Sequence, residues 1–206
     1  MTDKKPITSI VFDLGNVILP FDHKPIMGKL ADYCKYSPEQ IRAGFFKTDV
    51  VYRYGLGQIT SEEFFDEIKQ ALTLQCDFED FSDIFCDIFT ENAEMKMLVE
   101  RLAEKYPLFL LSDTNELHFE YVLKNYPVLE KFQNYSLSYE IGEYKPHEMV
   151  YRDVIRKSKT EPEALVFVDD LEANTKGAEK AGIHGVWFQN YPKLLVDLAE
   201  LGIQVD

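Results

Sequence analysis

Along the chain, short apolar runs that stop abruptly at polar residues alternate with longer stretches of helical spacing. Four runs stand out: Ile7 to Phe12, Leu108 to Leu111, Leu165 to Val168, and Gly185 to Phe188. Short apolar, partly β-branched runs mark buried strands of a parallel sheet covered by helices. Helical patterns follow over Glu116 to Asn125, Pro146 to Lys157 and Glu172 to Ala181, and a last helix is predicted from Pro192 to Leu201. Strands alternating with helices imply βαβ crossovers, so the predicted fold class is α/β, a doubly wound parallel sheet.

The stretch from 21 to 94 breaks this rhythm, because it holds no comparable strand and reads as helices. Ser37 before Pro38 has the form of an N-cap followed by a first-turn proline. Thr60 and Glu63 have capping-box spacing ahead of Phe64, Phe65 and Ile68. Phe78, Phe81, Phe85 and Ile88 recur at helical spacing, with Asp80, Asp83 and Asp87 on another face that reads as solvated rather than metal-binding. The expected organisation is a core from residues 1–20 and 95–206, with a helical cap, 21–94, inserted after the first strand and lying over the carboxyl edge of the sheet.

Composition narrows the partners. With 206 residues, 46% of them hydrophobic, the chain can fill a real core. Its net charge of −14 disfavours nucleic acid and anionic membranes, which bind clustered Lys and Arg, and makes a metal cation the more natural guest. No apolar stretch approaches the roughly 20 residues that span a bilayer, so a soluble, cytoplasmic protein is expected, as a monomer or weak homodimer. The three cysteines, Cys34, Cys76 and Cys86, form no C-x-x-C pair and predict apolar filling rather than a disulfide or zinc site. His23, His118, His147 and His184 lack the i, i+4 spacing of a helical metal site and predict surface or capping roles.

In open parallel sheets ligands bind beyond the carboxyl ends of the strands. The residues found there are Asp13, Ser112 with Asp113, and Asp169 with Asp170. One carboxylate after a strand serves equally well as a helix cap, but acidic residues at three strand ends are harder to assign to capping. Converging carboxylates repel unless a cation or proton neutralises them, and oxygen-only ligands suit Mg²⁺.

Four segments in order resemble the motifs of the haloacid dehalogenase-like superfamily: Ile10-Val11-Phe12-Asp13-Leu14-Gly15-Asn16-Val17, Leu110-Leu111-Ser112, Lys145-Pro146, and Val166-Phe167-Val168-Asp169-Asp170 with Asn174 beyond. The resemblance implies a Rossmann-like core with a helical cap, and phosphatase activity on a small phosphorylated metabolite. It implies Asp13 as the nucleophile that forms an aspartyl-phosphate. It implies Mg²⁺ held by Asp13, the Gly15 carbonyl and Asp170 with help from Asp169. Ser112 and the amides of Leu14, Asn16 and Asp113 are expected to cradle phosphate oxygens, Lys145 to supply a fixed positive charge ahead of a proline-started helix, and Asn115 to orient substrate.

The sequence departs from the family at Gly15, where most of its phosphatases carry a second Asp as proton donor. The Asp-Leu-Gly-Asn-Val form resembles a bacterial subgroup that includes an alpha-D-glucose-1-phosphate phosphatase, which points to a sugar phosphate and to selective or slow turnover. Two other functions compete: a metal-independent 2-haloacid dehalogenase, disfavoured because Asp169 and Asp170 would repel Asp13 without a cation, and a silent module that binds a phosphorylated ligand. In the cap, His23, Phe45, Phe46, Tyr52, Arg53 and Tyr54 are candidates to face substrate, against the plainer reading of cap core or surface.

Overall fold

Five parallel strands, β1 (Ser9–Phe12), β2 (Leu108–Ser112), β3 (Phe132–Leu137), β4 (Leu165–Asp169) and β5 (His184–Trp187), form one sheet in the order β3-β2-β1-β4-β5. The computed structural model describes residues 5–205, the side chains of Phe46 and Lys47 excepted. Ile10 pairs with Leu108 on one side and Val166 on the other, which fixes β1 at the centre. The helices are α1 (Lys24–Ala31), α2 (Pro38–Lys47), α3 (Val50–Gly55), α4 (Ser61–Leu72), α5 (Phe78–Cys86), α6 (Ala93–Ala103), α7 (Glu116–Asn125), α8 (Ser138–Ile141), α9 (Glu148–Ser158), α10 (Glu172–Lys180) and α11 (Tyr191–Glu200). The result is the predicted doubly wound α/β architecture.

The pleat explains why the strands read as unbroken apolar runs. Ile10, Phe12, Leu110 and Val168 face a layer built from Met95, Leu98 and Val99 of α6 and Leu194 and Leu198 of α11. Val11, Phe109, Leu111 and Phe167 face Val150, Tyr151 and Val154 of α9 on the opposite side. Burying one such side chain fully contributes about 1.5–3 kcal/mol, so both faces must be apolar for the sheet to be covered twice.

Beyond shifts of one or two residues at element ends, the elements differ from expectation in these places. The strand β3 was not predicted, because it is an edge strand whose exposed Gln133 and Asn134 interrupt its apolar residues. The last strand starts at His184 and ends at Trp187, one residue earlier than the apolar run. Pro146 does not begin α9: the Lys145–Pro146 peptide is cis, and His147 caps the helix, its side chain accepting from the Met149 amide at 3.4 Å.

Helices α1 to α5 gather around their own apolar cluster, with Phe64 stacked on Tyr54 at 4.3 Å and Leu117 of α7 joining from the sheet side. Ser37 caps α2 and the Thr60–Glu63 capping box opens α4. Asp80, Asp83 and Asp87 are exposed, as a solvated face requires. The chain enters and leaves this layer side by side: Asp22 N donates to Ile88 O at 3.0 Å, and Thr90 N to Pro20 O at 2.8 Å.

The layer is seated closely on the sheet. Gly57 has φ +65°, and a Cβ there would lie 2.0 Å from the Tyr139 carbonyl oxygen. The Ser138 hydroxyl accepts from Thr114 N at 2.9 Å and lies 2.8 Å from both Gly55 O and Thr114 O. Tyr54 Oη accepts from Leu117 N at 3.0 Å and sits 2.8 Å from Ser61 Oγ, tying α3 and α4 to α7. No helix among the described residues is long and apolar enough to cross a membrane.

Candidate active site

The sheet reverses its winding at β1, which has β2 on one side and β4 on the other, so a crevice opens at the carboxyl ends of these three strands. Asp13 follows β1 directly and is held toward β4 by its amide, which donates to Val168 O at 2.9 Å. Ser112 closes β2 and is buried; Asp169 closes β4 with no exposure.

Lys145 joins these strand ends. Its Nζ lies 2.8 Å from Asp13 Oδ1, 2.7 Å from Asp169 Oδ2 and 3.3 Å from Leu111 O. Its amide donates to Asp113 Oδ1 at 3.0 Å, so Asp113 fixes the lysine backbone. Burial opposes the ammonium charge, but Asp13, Asp169 and Asp113 outweigh it and hold Lys145 protonated. The carboxyl of Asp13 is pushed well above the usual range by burial and then by Asp169, against the pull of Lys145. Asp113 is raised by burial, and Asp170 is raised by burial and by Asp169, with a hydrogen bond from the Asn16 side chain opposing the shift.

Asp169 is saturated with hydrogen bonds. Leu171 N donates to Oδ1 at 2.8 Å, the Asn174 amide contacts both oxygens at 3.0 and 3.1 Å, and Lys145 takes Oδ2. Asn174 is itself steadied where its backbone oxygen accepts from Tyr151 at 2.7 Å. Oxygens of Asp13, Asp169 and Asp170 nevertheless lie within 4.8 Å of one another. Three carboxylates facing one ammonium leave an excess of negative charge on hard oxygen donors, which suits a divalent cation such as Mg²⁺. Asp13, Asp169 and Asp170 are the described carboxylates close enough together to hold one.

Several expected contacts are engaged elsewhere. The Leu14 amide donates to Asp13 Oδ1 at 2.7 Å and the Asn16 amide to Leu19 O at 3.0 Å, so neither is a free phosphate donor. Asn115 caps α7, its side-chain oxygen accepting from His118 N at 3.1 Å and its nitrogen lying 3.0 Å from His118 Nδ1. The left-handed residue of the loop is Asn16, at φ 56°, and not Gly15. A Cβ on Gly15 would meet the Phe21 ring at 2.7 Å.

Above Gly15 and Ser112 lies a cavity of about 200 Å³ between the sheet edge and the helical layer. Of the cap candidates, His23 and Phe45 line it. Tyr52 is exposed, Arg53 pairs with Asp49 and Glu67 on the surface, and Tyr54 is buried in the layer. The side chain of Phe46 lies outside the described residues. Phe21, Phe85, Phe89, His118 and Tyr144 also line the cavity and were not singled out for it, because they come from separate elements and share no local signal.

The family model for haloacid dehalogenase-like hydrolases matches residues 7–182. The chain belongs to this family. A D-ribitol-5-phosphate phosphatase from Bacteroides thetaiotaomicron is 22% identical over 183 residues, spanning 85% of this chain and 89% of that one. A crystallised haloacid dehalogenase family enzyme from the same organism superposes with a TM-score of 0.82 at 25% identity, covering 93% of this chain and 99% of its own. That enzyme has also been crystallised with magnesium and inorganic phosphate, and this form superposes with a TM-score of 0.81, again at 25% identity, over 91% of this chain and 98% of its own. An L-2-haloacid dehalogenase from Xanthobacter autotrophicus, at 17% identity and a TM-score of 0.63 over 97% of this chain and 84% of its own, shares the hydrolase fold alone.

Proposed function

We propose that this hydrolase is a Mg²⁺-dependent phosphatase of a small phosphorylated metabolite, with Asp13 as nucleophile. The observation that carries the reading is Lys145, buried between Asp13 and Asp169 at 2.8 and 2.7 Å, inside a cluster that still holds excess negative charge. The similarity to a D-ribitol-5-phosphate phosphatase over most of both chains supports the same chemistry.

In this reading an Asp13 oxygen attacks phosphorus in line, the bond to the leaving oxygen breaks, and water later hydrolyses the aspartyl-phosphate. Lys145 supplies a fixed cation beside the transferring group, and Asp169 and Asp113 position it without themselves reacting. Ser112 is placed to bind a phosphate oxygen. Bound Mg²⁺ neutralises charge on the phosphoryl oxygens and lets two carboxylates and a phosphate share one pocket. The helical unit, residues 21–94, serves as a cap that covers the carboxyl edge of the sheet and limits water.

Phosphate release from a panel of phosphorylated metabolites tests this. EDTA should abolish release and Mg²⁺ restore it; Asp13→Asn should lower kcat by about 10³-fold or more with the fold intact, while Asp170→Ala should raise the Mg²⁺ requirement. Undiminished turnover by folded Asp13→Asn protein would overturn the nucleophile assignment.

A further inference from the structure

We infer that the leaving group accepted by this site is an apolar ring rather than a polyol, an inference about substrate class that rests on the phosphatase reading above. The cavity begins at Gly15 and Ser112, and its walls beyond them are formed by Phe21, Ile26, Phe45, Phe85, Ile88 and Phe89. Its volume of about 200 Å³ suits one ring-sized substituent and is small beside the pockets that bury larger ligands.

Beyond Ser112 and Asp113, the polar residues of the wall are His23, Thr114, Asn115, His118 and Tyr144, and the side chains of the last three are engaged within the protein. Asn115 uses its oxygen on the His118 amide at 3.1 Å, and its nitrogen lies 3.0 Å from His118 Nδ1. The other ring nitrogen of His118 lies 3.0 Å from Phe85 O, and the Tyr144 hydroxyl donates to Tyr52 O at 3.2 Å. The backbone of Thr114 is engaged by Ser138. A polyol entering this space surrenders water at each hydroxyl and meets few free partners, at a cost of roughly tenfold in affinity per hydroxyl. An aromatic or aliphatic ring instead meets the phenyl walls, which favour edge and face contacts.

The exit loop from β1 points the same way. Phe21 occupies the space that a side chain at position 15 would need, so an aromatic face stands where an acid would reach the leaving oxygen. Without a proton donor, the phosphorus–oxygen bond breaks most readily when the electron pair stays on an oxygen that tolerates it. A phenolic oxygen does so. The Asp13–phosphorus bond forms, the bond to the ring oxygen breaks, and the phenolate takes its proton from water.

Two measurements decide the matter. By calorimetry in Mg²⁺, benzylphosphonate should bind at least tenfold tighter than methylphosphonate, and Phe21→Ala should shrink that ratio at least threefold. Phe21 is 37% exposed, which makes its truncation tolerable to the fold. In turnover, benzyl phosphate should exceed ethyl phosphate at least tenfold in kcat/KM, a comparison of two alkyl leaving groups that isolates the ring. Phenyl phosphate should exceed D-ribitol 5-phosphate and glucose 1-phosphate by a similar factor. Equal binding of the two phosphonates, or faster turnover of the polyol phosphates, would overturn the inference. Absence of phosphate release from every compound would instead sink the phosphatase reading, while the phosphonate ratio would still judge the pocket.

Discussion

At the residue scale the site turns on where charge and space are left over. Asp13, Ser112, Asp113, Asp169 and Asp170 were legible as a set because strand ends in a parallel sheet converge, and Lys145 only through the family resemblance; the structure brings them to one crevice. The use of their neighbours was not legible. Whether the Asn16 amide points outward depends on a left-handed φ of 56°, and whether position 15 has room depends on Phe21, six residues later. This geometry yields a prediction. Gly15→Asp alone should overfill the space beside Phe21, costing about 1–3 kcal/mol of stability with no gain in rate. Combined with Phe21→Ala, the new carboxyl has space and supplies a proton donor, so kcat/KM for ethyl phosphate should rise about 10²-fold relative to Phe21→Ala alone. If the double variant shows no gain on alkyl phosphates, another group already protonates the leaving oxygen.

At the element scale, legibility followed burial. The strands β1, β2 and β4 are buried along their length and were read from apolar runs alone. The edge strand β3 was missed because solvent permits Gln133 and Asn134 in its middle. Helix α7 carries a titration that its sequence did not announce. His118 is buried between α7 and α5, and burial pushes its pKa down from 6.5 to about 4, with Phe85 O opposing the shift. Below pH 6.5 the unfolded chain binds this proton and the folded chain does not, so stability falls as pH drops from 6.5 to 4, by up to about 3 kcal/mol. Denaturant titrations of wild type and His118→Gln at pH 7 and pH 5 should show a steeper loss in wild type; parallel losses would remove His118 as the cause. Gly57, just beyond α3, governs a separate contact with α8, since a Cβ there meets Tyr139 O at 2.0 Å on a left-handed backbone. Gly57→Ala should therefore destabilise by about 2 kcal/mol or more in the same titrations, and an unchanged midpoint would show that the layer can shift to make room.

At the scale of the whole molecule, the net charge of −14 surrounds a site built to receive an anion. That field opposes the approach of a phosphate dianion and attracts divalent cations. Raising ionic strength from 0.01 to 0.15 M shortens the screening length from about 30 to about 8 Å, so at saturating Mg²⁺ kcat/KM should rise severalfold. A fall would mean that local attraction at Lys145 governs encounter. The helical character of the stretch between β1 and β2 was legible because it interrupted the strand rhythm, but the fit of those helices on the rest was not, since it rests on contacts between residues far apart in the chain. Ser138 shows what such a contact permits. Its hydroxyl has one proton and two carbonyls at 2.8 Å, Gly55 O in the helical layer and Thr114 O beside the site. If the layer lifts, the proton turns to Thr114 O, Gly55 O passes to water, and no donor is stranded in the interior. The fastening between the two layers thus keeps a second acceptor for its one proton, so that parting them would leave no proton orphaned.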